Sequence, residues 1–326
     1  PKRGGRHVEI KHRFVETNGI RMHIAEAGEG PLVLLCHGFP ESWYSWRHQL
    51  PVLAEAGFHA VAPDMRGYGQ TDAPEAIDAY TQFDLVGDMV GLLDALGAET
   101  AVIVGHDWGA PVAWNAALWR PDRFRAVVGM SVPFTPRGPV PPTQAFKAAF
   151  GENFFYILYF QEPGKAEAEL ERDVRRTMRM TLFTASGDGP DRSILPRLPK
   201  TAGFLDGMVD PGEEHLPSWL TKEDLDFYTA EFEGRGFRGG LNWYRNMDRN
   251  WRLSAPWAGA KVTVPALFIS GEKDVVRAMA PGAAEAMREW VPNLRDVIWL
   301  PGCGHWTQQE RPHEVNEALV AFLRSL

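Results

Sequence analysis

Val102-Ile103-Val104-Gly105-His106-Asp107-Trp108-Gly109-Ala110 is the stretch on which the fold turns. A β-branched run leads into a small-x-acid-x-small pattern, the spacing of a sharp strand-to-helix turn that carries a nucleophile at its tip. Such a turn has no room for side chains two residues before and two after the tip, and glycine tolerates its strained backbone. Gly105 and Gly109 hold those two places, and the tip is Asp107 where a serine is usual. A carboxylate that attacks an ester or amide forms an unstable anhydride. Attack on a saturated carbon forms a stable ester. Asp107 therefore points away from acyl transfer and toward displacement of a leaving group from an alkyl carbon through a covalent alkyl-enzyme.

Outward from this segment, short continuous apolar runs alternate with helical periods, the mark of a mostly parallel sheet buried on both faces. The runs are Leu32 to Cys36, Ala60 to Pro63, Ala101 to Val104, Ala126 to Val132, Ala266 to Ser270 and Val297 to Leu300. Two more strands precede them, Val8 to Val15 and Ile20 to Ala25, joined by a Thr17-Asn18-Gly19 turn. That predicts eight strands. Between them Phe83, Val86, Val90, Leu93 and Leu96 recur at helical spacing, as do Val315, Leu319, Phe322 and Leu323. From Phe134 to about Gly259 the alternation stops. A Pro-rich entry leads into helix and loop too long for a simple crossover. The fold class expected is α/β, with a helical cap over 134–258 inserted between core segments 1–133 and 259–326.

Composition narrows the function. The chain has 326 residues, 44% of them hydrophobic, and a net charge of −8. A large core is expected and a nucleic-acid partner is not. The two cysteines, Cys36 and Cys303, provide no disulfide framework and lie in no metal-ligand cluster, so buried reduced thiols are expected. No run of about 18 apolar residues occurs, and no signal peptide is expected, so neither is a membrane partner. A cytoplasmic location follows by default.

A nucleophile on such a turn needs an acid and a base, which follow it along the chain. Of ten histidines, only His305 and His313 lie beyond the cap. His305 sits in the Gly-rich loop Pro301-Gly302-Cys303-Gly304-His305 after the last strand and is the base. His313, at the opening of the final helix, reads as a surface residue. The acid follows the seventh strand, where Asp274 is preferred and Glu272 is the rival, because no carboxylate follows the sixth. It would hold the imidazole tautomer and stabilise its protonated form. Backbone N–H groups of Trp108 and of the loop His37-Gly38-Phe39-Pro40, with Phe39 preferred, are expected to form the oxyanion hole. His37, Gly38 and Pro40 of that loop are expected at the substrate.

With these residues in hand, the chain resembles an α/β-hydrolase, and closely the soluble (cytosolic) epoxide hydrolases. The resemblance spans nearly the whole sequence. Its core carriers are His37-Gly38-Phe39-Pro40-Glu41-Ser42-Trp43, Gly105-His106-Asp107-Trp108-Gly109 and Gly304-His305-Trp306-Thr307-Gln308. In the cap they are Leu158-Tyr159-Phe160-Gln161-Glu162-Pro163-Gly164 and Phe237-Arg238-Gly239-Gly240-Leu241-Asn242-Trp243-Tyr244. It implies two cap tyrosines that hydrogen-bond the epoxide oxygen, at Tyr159 and Tyr244, with Tyr156 and Tyr228 as competitors. An epoxide opens to an alkoxide on the same molecule, so an O–H donor is needed, and a phenol of pKa about 10 stays protonated at neutral pH. The implied substrates are lipophilic aryl, alkyl or fatty-acid epoxides and water, with no metal and no organic cofactor, in a monomer or homodimer. The phosphatase domain of the mammalian enzymes is not expected, because too little chain precedes the first central strand. Two other readings share some residues. A haloalkane or haloacid dehalogenase would use the same aspartate and histidine, and a non-catalytic receptor would use the pocket alone.

Overall fold

The chain enters its sheet through a hairpin. In the computed structural model, which describes residues 8–193 and 197–326, β1 (Lys11–Thr17) and β2 (Ile20–Ala27) pair antiparallel. The turn residues Asn18 and Gly19 both have positive φ, 49° and 79°, which matches the twist of a two-residue hairpin. Strand β1 begins at Lys11 rather than at Val8, and most of its side chains are exposed.

Six further strands follow: β3 (Leu32–Cys36), β4 (His59–Pro63), β5 (Ala101–His106), β6 (Phe124–Met130), β7 (Ala266–Gly271) and β8 (Leu294–Leu300). The sheet order is β1-β2-β4-β3-β5-β6-β7-β8. Strand β2 runs antiparallel to β4, and the pairs from β4 through β8 are parallel. Every residue of β3, β5 and β7 is buried, as continuous apolar runs require. The apolar runs misplace some ends. Strand β6 stops at Met130 because Ser131 turns to φ 71°, and β8 starts early, at Leu294, because an edge strand tolerates the exposed Arg295 and Asp296.

Side chains alternate between two cores. Leu34, Cys36 and Ile103 pack under the helices Gln82–Ala95 and Gly109–Trp119. Val33, Leu35, Val102 and Val104 pack under Leu50–Glu55 and Pro312–Arg324. In Gln82–Ala95 the buried face centres on Leu85, Met89 and Leu92. Phe83 and Val90 lie at its flank, half-buried, so the stripe read from the sequence was one edge of the true face. In the last helix Val315, Leu319, Phe322 and Leu323 are all buried, as their spacing implies.

Between β6 and β7 the chain builds the helical cap. Its elements run from Pro142–Phe150 to Ala255–Trp257, and the sole β feature among its described residues is a bridge between Asn153 and Pro199. Fully buried Phe160, Tyr228, Phe237 and Trp243 join cap to core. Polar ties add direction. Tyr44 donates to Asp224 at 2.7 Å, Tyr228 meets Ser45 at 2.7 Å, and the indole of Trp243 donates to the Arg66 carbonyl at 3.0 Å. Among the described residues no helix is long and apolar enough to cross a membrane.

Candidate active site

Strand order reverses at β3: the chain adds β4 on one side of it and β5 on the other. Loops leaving the carboxyl ends of β3 and β5 therefore diverge and open a crevice. Both loops deliver backbone and side-chain groups to one carboxylate.

Asp107 stands at the tip of the turn after β5 with φ 54°, in the left-handed region. The turn closes because its neighbours have no side chains. A Cβ on Gly105 would lie 1.9 Å from the Gly109 carbonyl oxygen, and one on Gly109 would lie 2.1 Å from the Cys36 carbonyl oxygen. A Cβ on Gly38 would lie 2.3 Å from the Asp107 Cβ. The two oxygens of Asp107 then have separate surroundings. Oδ2 accepts from the backbone N–H of Phe39 at 2.9 Å and of Trp108 at 2.6 Å. Oδ1 lies 2.8 Å from Nε2 of His305.

His305 follows β8 in a loop whose own N–H donates to the Ala185 carbonyl at 2.8 Å. Its Nδ1 lies 3.1 Å from Oδ1 of Asp274, which also accepts from the Val276 N–H at 2.9 Å. Nδ1 also lies 3.1 Å from the Ser131 hydroxyl. Burial pushes the Asp107 carboxyl up, but the hydrogen bond and charge of His305, with His106 and the Phe39 N–H, hold it below the usual carboxylate range. Burial pushes His305 down, yet the charge of Asp274 and the hydrogen bonds from both carboxylates raise it well above an ordinary imidazole. The contact favours the carboxylate form of Asp107 and the imidazolium form of His305.

Above Asp107 lies a cavity of about 410 Å³ between core and cap. Asp107, His305, Phe39, Pro40, Tyr156 and Tyr244 all line it. The rings of Tyr156 and Tyr244 are 6.1 Å apart, near perpendicular. Burial first, then the charge of Asp107, raises both phenols above their ordinary pKa, so both keep their protons at neutral pH. Facing Asp107 are thus two neutral O–H donors in a mostly apolar chamber, suited to an uncharged electrophile that becomes an alkoxide.

Known proteins resemble this chain over nearly its whole length. A family model described as alpha/beta hydrolase fold matches residues 31–187. Epoxide hydrolase A of Mycobacterium tuberculosis is 52% identical over 317 residues, covering 96% of this chain and 97% of that protein. The crystal structure of epoxide hydrolase A from Mycobacterium thermoresistibile superposes with a TM-score of 0.92 at 55% identity, covering 97% of this chain and 98% of that one. The bifunctional epoxide hydrolase 2 of Sus scrofa is 45% identical over 320 residues, which are 97% of this chain and 56% of that protein. The chain belongs to the epoxide hydrolases of the α/β-hydrolase fold.

Within this epoxide hydrolase, several residues fall elsewhere than the sequence suggests. Tyr159 does not line the cavity. It is the last residue of the four-residue helix Tyr156–Tyr159, and its hydroxyl donates to Glu169 at 2.7 Å. That carboxylate also accepts from the N–H groups of Phe204 and Leu205. A charge-assisted bond of this kind holds Tyr159 in the fabric of the cap. Tyr156, the competitor one turn earlier, meets the cavity in its place. Tyr228 is fully buried against Ser45 and Gln309. His37 also leaves the substrate side. Its Nδ1 contacts the Gly38 carbonyl at 2.9 Å, and its Nε2 accepts from the Met65 N–H at 3.0 Å. Gly38 serves by its missing side chain, since it packs on Asp107 rather than on the cavity. Glu272 is exposed, and the imidazole of His313 is 87% exposed beside Glu317.

Two residues of the epoxide hydrolase's site escaped the sequence reasoning. His106, fully buried, places Nε2 2.6 Å from the His305 carbonyl and Nδ1 3.3 Å from the buried carboxylate of Glu41. Burial lowers His106, but the charge of Glu41 raises it on balance. The contact ties the loop bearing His305 to the turn bearing Asp107. A charged pair immediately flanking both motifs, Glu41 after His37-Gly38-Phe39-Pro40 and His106 before Asp107, is a signal that could have found it. Among the described residues, no group of three or more histidines, cysteines, aspartates or glutamates is placed to hold a metal ion.

Proposed function

We propose that Asp107, His305 and Asp274 form the catalytic triad of this epoxide hydrolase, that Tyr156 and Tyr244 hold the epoxide oxygen, and that 134–258 is the cap closing the site. The observation that carries the proposal is the division of labour on Asp107: Oδ1 faces His305 while Oδ2 sits between two backbone donors. Epoxide hydrolysis to a vicinal diol through a covalent aspartyl ester assigns a task to each contact.

In the first step Oδ1 attacks an epoxide carbon and the C–O bond of the ring breaks. The ring oxygen takes the electron pair and accepts hydrogen bonds or a proton from Tyr156 and Tyr244. In the second step His305 takes a proton from water, and the water oxygen attacks Cγ of Asp107. Charge then develops on Oδ2, where the Phe39 and Trp108 N–H groups already point. The tetrahedral centre collapses, the bond from Cγ to Oδ1 breaks, and the departing oxygen takes the proton held by His305; the second water proton restores any proton lent by a tyrosine, and the diol leaves. Asp274 orients the imidazole and supports its charge. Ester formation itself prepares the second step, because alkylated Asp107 no longer bears the negative charge that helps keep His305 protonated.

A cavity of about 410 Å³ with a mostly apolar wall suits lipophilic aryl, alkyl or fatty-acid epoxides. A cytoplasmic location and a monomeric or homodimeric state complete the proposal. The buried free thiols Cys36 and Cys303 are compatible with a reducing compartment.

The test is His305→Gln with styrene oxide. Turnover should fall by at least 10³-fold, while Asp107 gains the mass of one substrate, seen on the intact protein and on its peptide. Full activity, or no adduct when substrate is consumed, would overturn the proposal. Halide release from haloalkanes with no diol from epoxides would favour the dehalogenase reading instead.

A further inference from the structure

Among the described residues, the cavity wall carries a cation with no acid to match it. Arg192 lines the chamber beside Tyr156, and Arg197 lines the same chamber with an exposed side chain. The one carboxylate on the lining is Asp107, whose two oxygens are taken up by His305, Phe39 and Trp108. Arginines in other parts of the molecule show what is missing. Arg66 is paired with Asp88, Arg179 with Asp210, and Arg245 with Glu167. Among the described residues Arg192 has no carboxylate partner, and its buried Nε has no hydrogen-bond partner. Neither segment outside the description, 1–7 or 194–196, contains an aspartate or glutamate that could supply one. Burial lowers the pKa of Arg192 from its ordinary value, with Tyr156 as the opposing influence.

A guanidinium half-withdrawn from water and left unpaired costs free energy that an incoming anion would recover. Its planar fork suits a carboxylate in particular. We propose that Arg192 is a specificity residue that anchors an anionic group of the substrate, so that the favoured substrates are epoxides bearing a carboxylate at the end remote from the ring. Arg197, nearer solvent, adds to the field that draws such a substrate in. The proposal rests on the chamber being the epoxide site.

The experiment compares cis-9,10-epoxystearate with its methyl ester, below their aggregation limits, with styrene oxide as neutral control. Wild-type enzyme should have the lower KM for the acid, and added salt should weaken that preference. Arg192→Gln should raise KM for the acid about tenfold or more, the loss of one charge-assisted pair. KM for the methyl ester and kcat for styrene oxide should stay within about twofold. Arg192→Lys should recover part of the preference. Equal losses for acid and ester, or no wild-type preference between them, overturn the proposal. A fall in kcat for styrene oxide to match would assign Arg192 to supporting Tyr156, and overturns it too. If wild-type enzyme turns over none of the three, the failure lies with the epoxide site and not with the anchor.

Discussion

Tyr156 and Tyr159 are chemically identical and three residues apart, yet one faces Asp107 and the other faces Glu169. The difference is testable. Replacing Tyr156 or Tyr244 with phenylalanine should lower kcat for styrene oxide about 10- to 100-fold, because one O–H donor to the alkoxide is lost while its partner remains. Tyr159→Phe should leave kcat within about twofold and cost about 1 kcal/mol of stability. Steady-state kinetics decides, and a Tyr159→Phe loss as deep as that of Tyr156→Phe would restore Tyr159 to the site. The residue scale also sets the pH dependence. Asp107 is held below its ordinary pKa and His305 above its own. Alkylation needs Asp107 ionised, which persists into acid. Hydrolysis needs His305 neutral, which acid removes. Lowering the pH should therefore slow hydrolysis before alkylation, so that more ester accumulates at about pH 5 than at about pH 8. Acid-quenched samples weighed by mass spectrometry would show this, and equal ester at both would contradict it. That Asp107, His305 and Asp274 would meet was legible because strand ends and chain order restrict the choice. The tyrosine was not, because a one-turn helix does not announce which of its side chains a neighbouring carboxylate will capture.

At the scale of elements, the turn after β5 is built from absences. Gly109 begins the helix Gly109–Trp119 within contact of the Cys36 and His37 carbonyls, and backbone oxygens anchored in β3 have nowhere to go. Gly109→Ala should lower stability by about 2 kcal/mol or more and reduce turnover further, by displacing Asp107 from the Phe39 and Trp108 N–H groups. Thermal denaturation with single-turnover kinetics checks this. A variant with unchanged Tm would mean that β3 yields more readily than its packing implies. The element pattern itself was readable from periodicity, since strands buried on both faces are continuous apolar runs and the last helix shows its stripe. Strand ends were less so. They depend on local backbone events, such as the φ of 71° at Ser131, and on whether a strand lies at the sheet edge, as β8 does.

Across the whole molecule, the seam between cap and core holds its own titratable group. Glu231, on the cap helix Lys222–Arg235, is pushed from 4.5 up to about 9 by burial and by the charge of Asp64 in the core. The folded state keeps its proton where the unfolded chain has lost it. Its contribution to stability is therefore whole below about pH 4.5 and drains away as pH rises toward 9. Glu231→Gln, which stays neutral, should raise Tm by about 2–4 °C at pH 8 and by less at pH 5. Melting curves at both values test it, and a difference that does not grow with pH would refute it. By itself the sequence determined the covalent chemistry: an aspartate at the tip of a glycine-bounded turn, followed in order by an acid and a histidine, restricts both the bond formed and the way it is hydrolysed. Only the tertiary structure decided which tyrosine lines the cavity, that His106 and Glu41 brace the His305 loop, and that Arg192 faces the chamber with no carboxylate partner among the described residues. These depend on contacts between segments far apart in the chain, through a cap whose helices carry no strand register to fix their relative rotation.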